Sequence, residues 1–139
     1  FLRECRRALS PGGQLIVTTP NRLTFSPGLA RGAKPMNPFH VEEFDAQQVT
    51  MMMDSAGFDR VDLRGVHHAA RLRAWEHTHG SIVAAQITAA VQGTWPPALR
   101  RMVSTVTARD FTIDDASLAN TDPVIMGAQD LLVIAGVVP

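Results

Sequence analysis

A chain of 139 residues, 45% apolar and 19% charged, is long enough to bury one hydrophobic core and too apolar for a disordered segment. Its 13 Lys and Arg balance 13 Asp and Glu; this gives no broad charge footprint for nucleic acid or an anionic membrane and leaves small molecules or proteins as partners. The single cysteine, Cys5, excludes an internal disulfide and a cysteine-rich zinc site and suits a reducing compartment, so the cytoplasm is the expected location, and no apolar stretch nears the roughly 20 residues of a membrane span.

The opening FLRECRRALS predicts an amphipathic helix with Phe1, Leu2, Cys5 and Leu9 on one face. Its scattered arginines do not make a signal peptide. A helix under way at residue 1 without an initiator Met leads us to expect a piece of a longer chain, although processing gives the same start. Ser10-Pro11-Gly12-Gly13 stops the helix, because Pro11 disfavours helical backbone at Ser10 and the glycines admit positive φ. Gln14 to Thr19 predicts a strand buried on both faces, ended by Pro20.

Residues 20–44 then run without an evident element, and a loop of that length is usually functional or disordered. Asp45 is placed to cap a helix, with Gln48 completing a capping box, Ala46, Val49, Met53 and Ala56 on one face, and Gly57 at the C-cap. Arg60 to Val66 alternates and predicts a strand. The order of helix, strand, loop, helix and strand is that of an α/β layered fold.

Beyond His67 two helices are predicted, 74–92 and 96–108, the second opening on Pro96-Pro97 and carrying a stripe of Leu99, Met102, Val103 and Val106 opposite Arg100 and Arg101. The acidic stretch holding Asp110, Asp114, Asp115 and Asp122 reads as a solvated connector, since its carboxylates lack a ligand spacing. Asp130 to Val137, DLLVIAGV, predicts a last buried strand, and no internal repeat is present.

The segments RRALSPGGQLIVTTPNR and NPFHVEEF, the helix ending in AGF, the alternating strand and the final DLLVIAG together resemble the C-terminal half of class I S-adenosylmethionine-dependent methyltransferases, in the branch acting on small metabolites, sugars or lipids. The likeness is close over 1–66, moderate over 128–139 and loose over the insert. It implies part of a Rossmann-like sheet in which Gln14 to Thr19 is the fifth strand, Arg60 to Val66 the sixth, and Asp130 to Val137 a seventh lying antiparallel between them. The chain then divides into half of the methyltransferase core (1–66), a two-helix insert or cap (67–120) and a last core strand (121–139). S-adenosylmethionine is the implied cofactor. The family's glycine-rich turn after its first strand and acid at the end of its second have no counterpart in the sequence, so the first four strands are expected to lie outside this chain or on a complementing one.

Methyl transfer is an in-line displacement that rests on positioning, with a base where the acceptor is a hydroxyl. Ligands in open α/β sheets lie beyond the carboxyl ends of the strands, which puts Thr18, Thr19, Pro20 and Asn21 at the rim and the following loop, with Asn37, over it. The resemblance makes the same assignment, with Thr19 and Pro20 beside the cofactor and Asn21 and Asn37 beside the acceptor, while His68 and Trp75 either line the acceptor pocket from the cap or serve plain packing. His40 is the candidate catalytic base, since imidazole titrates nearest neutral pH; equally, it can pin the loop through backbone or through Asn21. Glu42 and Glu43 either orient it or sit in the first helical turn, where the helix dipole favours acids. Met51, Met52 and Met53 offer an adaptable apolar surface or ordinary core filling. His67-His68 and Glu76-His77-x-His79 lack the i, i+4 spacing of a helical ligand pair, so no metal is expected.

Three readings remain open on sequence alone: a fragment of a methyltransferase acting on a small-molecule hydroxyl, an inactive remnant that aggregates or dimerises through its unpaired strand edge, and an interaction half-domain that docks on a partner chain, with the two-helix cap and its Leu99 stripe as the binding surface.

Overall fold

Four strands, β1 (Gln14–Pro20), β2 (Arg60–His68), β3 (Phe111–Ile113) and β4 (Asp130–Gly136), form one sheet in the order β1-β4-β2-β3 in the computed structural model, which describes residues 1–138. β4 is antiparallel to both β1 and β2. The two strands that flank β4, β1 and β2, therefore run parallel, with their carboxyl ends, Pro20 and His68, at one end of the sheet. The sequence of β4 suits this central position: Leu131, Val133 and Ala135 are wholly buried on one face and Leu132 is 8% exposed on the other.

β1 departs from expectation twice. It includes Pro20, which pairs with Asp130 at the strand end where a missing N–H is tolerated. It also alternates in burial, with Ile16 65% exposed. A strand with one neighbour and helices on one face buries only Leu15 and Val17 against the core.

Helices α1 (Leu2–Ala8) and α3 (Ala46–Ala56) pack together over that face, α3 contributing Ala46, Val49 and Met53 to a core shared with Phe58, Leu63, Ile125 and β4. Each fully buried Val or Leu there contributes about 1.5–3 kcal/mol. Phe1 is not on the buried face of α1; it is 90% exposed. The capping box forms as predicted, Gln48 N–H donating to Asp45 Oδ1 at 3.0 Å and Asp45 N–H to Gln48 Oε1 at 3.1 Å, and Gly57 closes α3 at φ 87°. Asp45 does more than cap. Its carboxylate also accepts from Arg22 Nη2 and Arg31 Nε, both at 2.8 Å, and so joins the start and middle of the 20–44 loop to the helix.

The insert differs from the predicted pair of helices. It holds three, α4 (Ala70–His79), α5 (Ile82–Gln92) and α6 (Pro97–Val103), followed by a 3-10 turn at Ala108–Asp110. The predicted helix 74–92 breaks at Gly80, whose φ of 84° and ψ of −177° are not helical, and restarts at Ser81, whose Oγ accepts from Ala84 N–H at 3.2 Å. Leu99 and Met102 are buried against Leu72, Ile82 and Ala89, with Val103 and Val106 packed alongside. That stripe is interior, so it is no recruiting surface for a partner.

The acidic stretch is not a free connector either. β3 pairs with β2 through Val66, His67 and His68, and the chain follows the same strand edge to Leu118, whose N–H donates to Leu63 O at 2.8 Å. Asp114 Oδ2 accepts from Gly65 N–H at 2.8 Å; a Cβ at Gly65 would lie 2.8 Å from that oxygen and from the Ala128 Cβ, so only glycine fits. Among the described residues no helix is long and apolar enough to cross a membrane, and no group of three or more His, Cys, Asp or Glu side chains is placed to share a metal ion.

Burial pushes the Asp45 carboxyl up, but hydrogen bonds from Arg31, Arg22 and the Gln48 amide outweigh it and hold it below its ordinary 3.8. Its contribution to stability is therefore complete above the ordinary value and is lost as pH falls through the lowered one. Asp45→Ala should cost about 2 kcal/mol in urea unfolding at pH 7, from the lost cap and the two uncompensated arginines. The gap between variant and wild type should narrow below pH 4; a gap constant down to pH 3 would contradict the assignment.

Candidate functional site

The site begins where β1 ends. Asn21 is 1% exposed, and its Nδ2 donates to the carbonyls of Ile125, Met126 and Ala128 at 3.1, 3.2 and 2.9 Å, while Oδ1 accepts from Leu23 N–H and caps a one-turn helix, α2 (Arg22–Phe25). Thr24 Oγ1 also donates to Ala128 O at 2.7 Å. The long loop thus has an element of its own, stapled to the segment that leads into β4. A second one-turn helix, α7 (Pro123–Met126), supplies two of those carbonyls. Asn21 serves as scaffold: its N–H donors are spent on backbone carbonyls.

His40 is partly buried and engaged at both ring nitrogens, Nε2 lying 3.1 Å from Asn37 Nδ2 and Nδ1 2.6 Å from Glu43 Oε1. Glu43 Oε2 in turn accepts from Ser26 Oγ at 2.6 Å, and Ser26 Oγ accepts from Met36 N–H at 2.9 Å. Glu43 and Ser26 are 3% and 1% exposed. Of the two roles open to the loop acids, Glu43 therefore takes the orienting one; neither Glu42 nor Glu43 lies in the first turn of α3, which starts at Ala46. The ring of Phe25 lies 5.4 Å from the imidazole and walls one side of it.

Asp130, read from sequence only as the start of a strand, lies at the same end of the sheet. Its side chain makes no hydrogen bond among the described residues, and burial pushes its carboxyl above the ordinary range, a rise that His68 and His40 oppose only when protonated. By register Asp130 is opposite Val66 and shares a sheet face with His68, two residues on. A strand-initial acid in an apolar run was the available signal for it.

The other predicted residues divide. His68 is 8% exposed, with Nδ1 3.1 Å from Glu76 Oε2, and Glu76 Oε1 accepts from Ile82 N–H, so this pair fastens β2 to the insert. Trp75 stacks on His79 at 4.4 Å and packs into the insert's own core. Thr19 lines, with Val17 and Thr18, an open groove of about 980 Å³ walled by Phe44, Met51, Met52 and Met53. Pro20, His40, Asn37, His68 and Trp75 do not line that groove.

Fold and site together define an α/β protein whose polar cluster sits at the carboxyl ends of two parallel strands, beside an apolar groove. No family model and no solved structure matches the chain. Over 137 residues, 97% of its length, it is 44% identical to proteins from two strains of Mycobacterium tuberculosis, each named probable S-adenosylmethionine-dependent methyltransferase and each covered to 48%. A Mycolicibacterium smegmatis protein with the same leading name is 40% identical over 137 residues and covered to 51%. The chain spans about half the length of the curated relatives it matches.

The scaffold role of Asn21 has a measurable consequence. Asn21→Ala should lower stability by about 3 kcal/mol, removing the bonds to the Ile125, Met126 and Ala128 carbonyls and the cap on α2 at once, whereas Asn37→Ala should lose about 1 kcal/mol or less. Urea midpoints of the two variants test this; near-equal values would return Asn21 to the list of ligand-binding candidates.

Proposed function

We propose that this chain is the carboxyl-terminal part of a class I S-adenosylmethionine-dependent methyltransferase acting on a hydroxyl of a small molecule. In this reading β1, β2 and β4 are the fifth, sixth and seventh strands of a Rossmann-like sheet, 1–66 and 121–139 belong to the core, and 67–120 is a cap over the acceptor. The observation that carries it is β4 lying antiparallel between parallel β1 and β2, with the His40 cluster at their carboxyl ends. The names of the relatives support the reaction class.

The described residues fit only part of a cofactor site. β1 leads into the Asn21-capped α2 and β2 into α4, and neither turn contains glycine, so no glycine-rich phosphate-binding type of turn is built here. The groove beside Thr18 and Thr19 offers an apolar wall to an adjoining half. S-adenosylmethionine is the cofactor we assign to the assembled enzyme, with Thr19 and Pro20 at its edge. The work of this chain is to hold the acceptor at the strand ends, with Asn37, Asp130 and His68 around it and Trp75 supporting the cap. His40 removes the hydroxyl proton as the oxygen attacks.

A second reading rests on the unpaired edge of β1 and its exposed Ile16: in isolation the chain associates edge to edge, and a complementing half or a second copy occupies that edge.

The test replaces the aligned 137 residues of a Mycobacterium tuberculosis relative with those of this chain. The chimera should bind S-adenosylhomocysteine saturably in calorimetric titration. A folded, monomeric chimera that binds none would refute the methyltransferase reading.

A further inference from the structure

We infer that Glu43 is a positioning residue that fixes the neutral His40 imidazole as its Nδ1–H tautomer, and that the Asn37 carboxamide occupies the Nε2 lone pair until an acceptor hydroxyl replaces it. The inference rests on the reading of His40 as the base.

The proton positions follow from a backbone amide. Phe39 N–H needs an acceptor and has Asn37 Oδ1 at 3.0 Å, which fixes the carboxamide orientation. Nδ2 is then the atom facing His40 at 3.1 Å. An amide nitrogen only donates, so His40 Nε2 accepts and the neutral ring carries its proton on Nδ1. That proton is donated to Glu43 Oε1 at 2.6 Å. The other end of the relay is fixed in the same way: Ser26 Oγ accepts from Met36 N–H, so its hydroxyl hydrogen points to Glu43 Oε2.

Glu43 thus accepts at both oxygens, the state of an ionised carboxylate, in a place where burial disfavours charge. Pinning a loop needs no buried acid, because backbone carbonyls would serve. What the carboxylate adds is tautomer selection, together with stabilisation of the imidazolium that forms as His40 takes a proton. The Nε2 lone pair is the basic site thus exposed to the acceptor side, and Asn37, held in its own turn, is a donor that an incoming hydroxyl displaces by supplying the same hydrogen bond. The step balances: the hydroxyl O–H bond breaks and Nε2 gains the proton, and the oxygen's pair would form the C–O bond to the donor's methyl carbon as that carbon's bond to the sulfonium sulfur breaks, leaving its pair on a neutral thioether.

The test is the ¹⁵N spectrum of the His40 ring in the 139-residue chain, recorded where the ring is neutral. We expect Nδ1 protonated and Nε2 bare in the wild type, retention of that pattern in Glu43→Gln, and a shift towards the Nε2–H form in Glu43→Leu, with β4 amide shifts serving as the folding control. An Nε2–H tautomer in the wild type overturns the proposal without any variant, and an unchanged pattern in a folded Glu43→Leu overturns the role of Glu43. Both results are independent of S-adenosylhomocysteine binding by the chimera, so a failure here is separable from a failure of the methyltransferase reading.

Discussion

The double pairing of β4 is the constraint on which the rest of this structure depends. β1 and β2 make no ladder with each other; both are held through the strand that comes after them in the chain. Because β4 is antiparallel to each, the carboxyl ends of β1 and β2 face the same way and the amino end of β4 lies between them. Asp130 is brought to the site by the same pairing. The contacts that place the loop at the strand ends are therefore nonlocal, such as the one from Asn21 to Ala128 across 107 residues, and closing such loops makes assembly slow relative to local helix formation.

With the strand ends fixed, the 20–44 loop is held by polar side chains, not by an apolar core of its own. Few of its backbone groups have ladder partners, and buried backbone must be satisfied somehow. Asn21 anchors the start, Asp45 gathers Arg22 and Arg31 at the end, and Ser26 and Glu43 clasp the middle. Each is a buried or half-buried polar group whose desolvation is offset only because its partners are in place. The same rigidity that keeps the loop folded holds His40 in one orientation.

Much of this was legible in the sequence because local chemistry wrote it there. The capping box at Asp45 and Gln48, the glycine closing α3 and the apolar DLLVIAG strand all follow from residue type and spacing. What stayed hidden depended on partners far along the chain. Asn21 looked like a rim residue because the three carbonyls that consume it come from 125–128. Strand β3 was hidden in an acidic stretch, since three residues paired to an edge leave no periodicity. The break at Gly80 leaves no signal of its own, because a lone glycine within an apolar pattern is compatible with a continuous helix. The chemistry of imidazole alone singles out His40 in the sequence; that Glu43 and not Glu42 orients it is a matter of loop geometry that spacing does not encode.

The most direct test of the central claim, that His40 faces the methyl acceptor, is a crystal structure of the chimera with S-adenosylhomocysteine bound. A hydroxyl oxygen held within hydrogen-bond reach of Nε2 and about 3–3.5 Å from the methyl carbon places the thioether sulfur about 6–8 Å from Nε2, with open space between them. We predict that separation. A sulfur more than about 12 Å from Nε2, beyond the reach of any single bridging hydroxyl, would contradict the claim and leave His40 as a clamp on the loop.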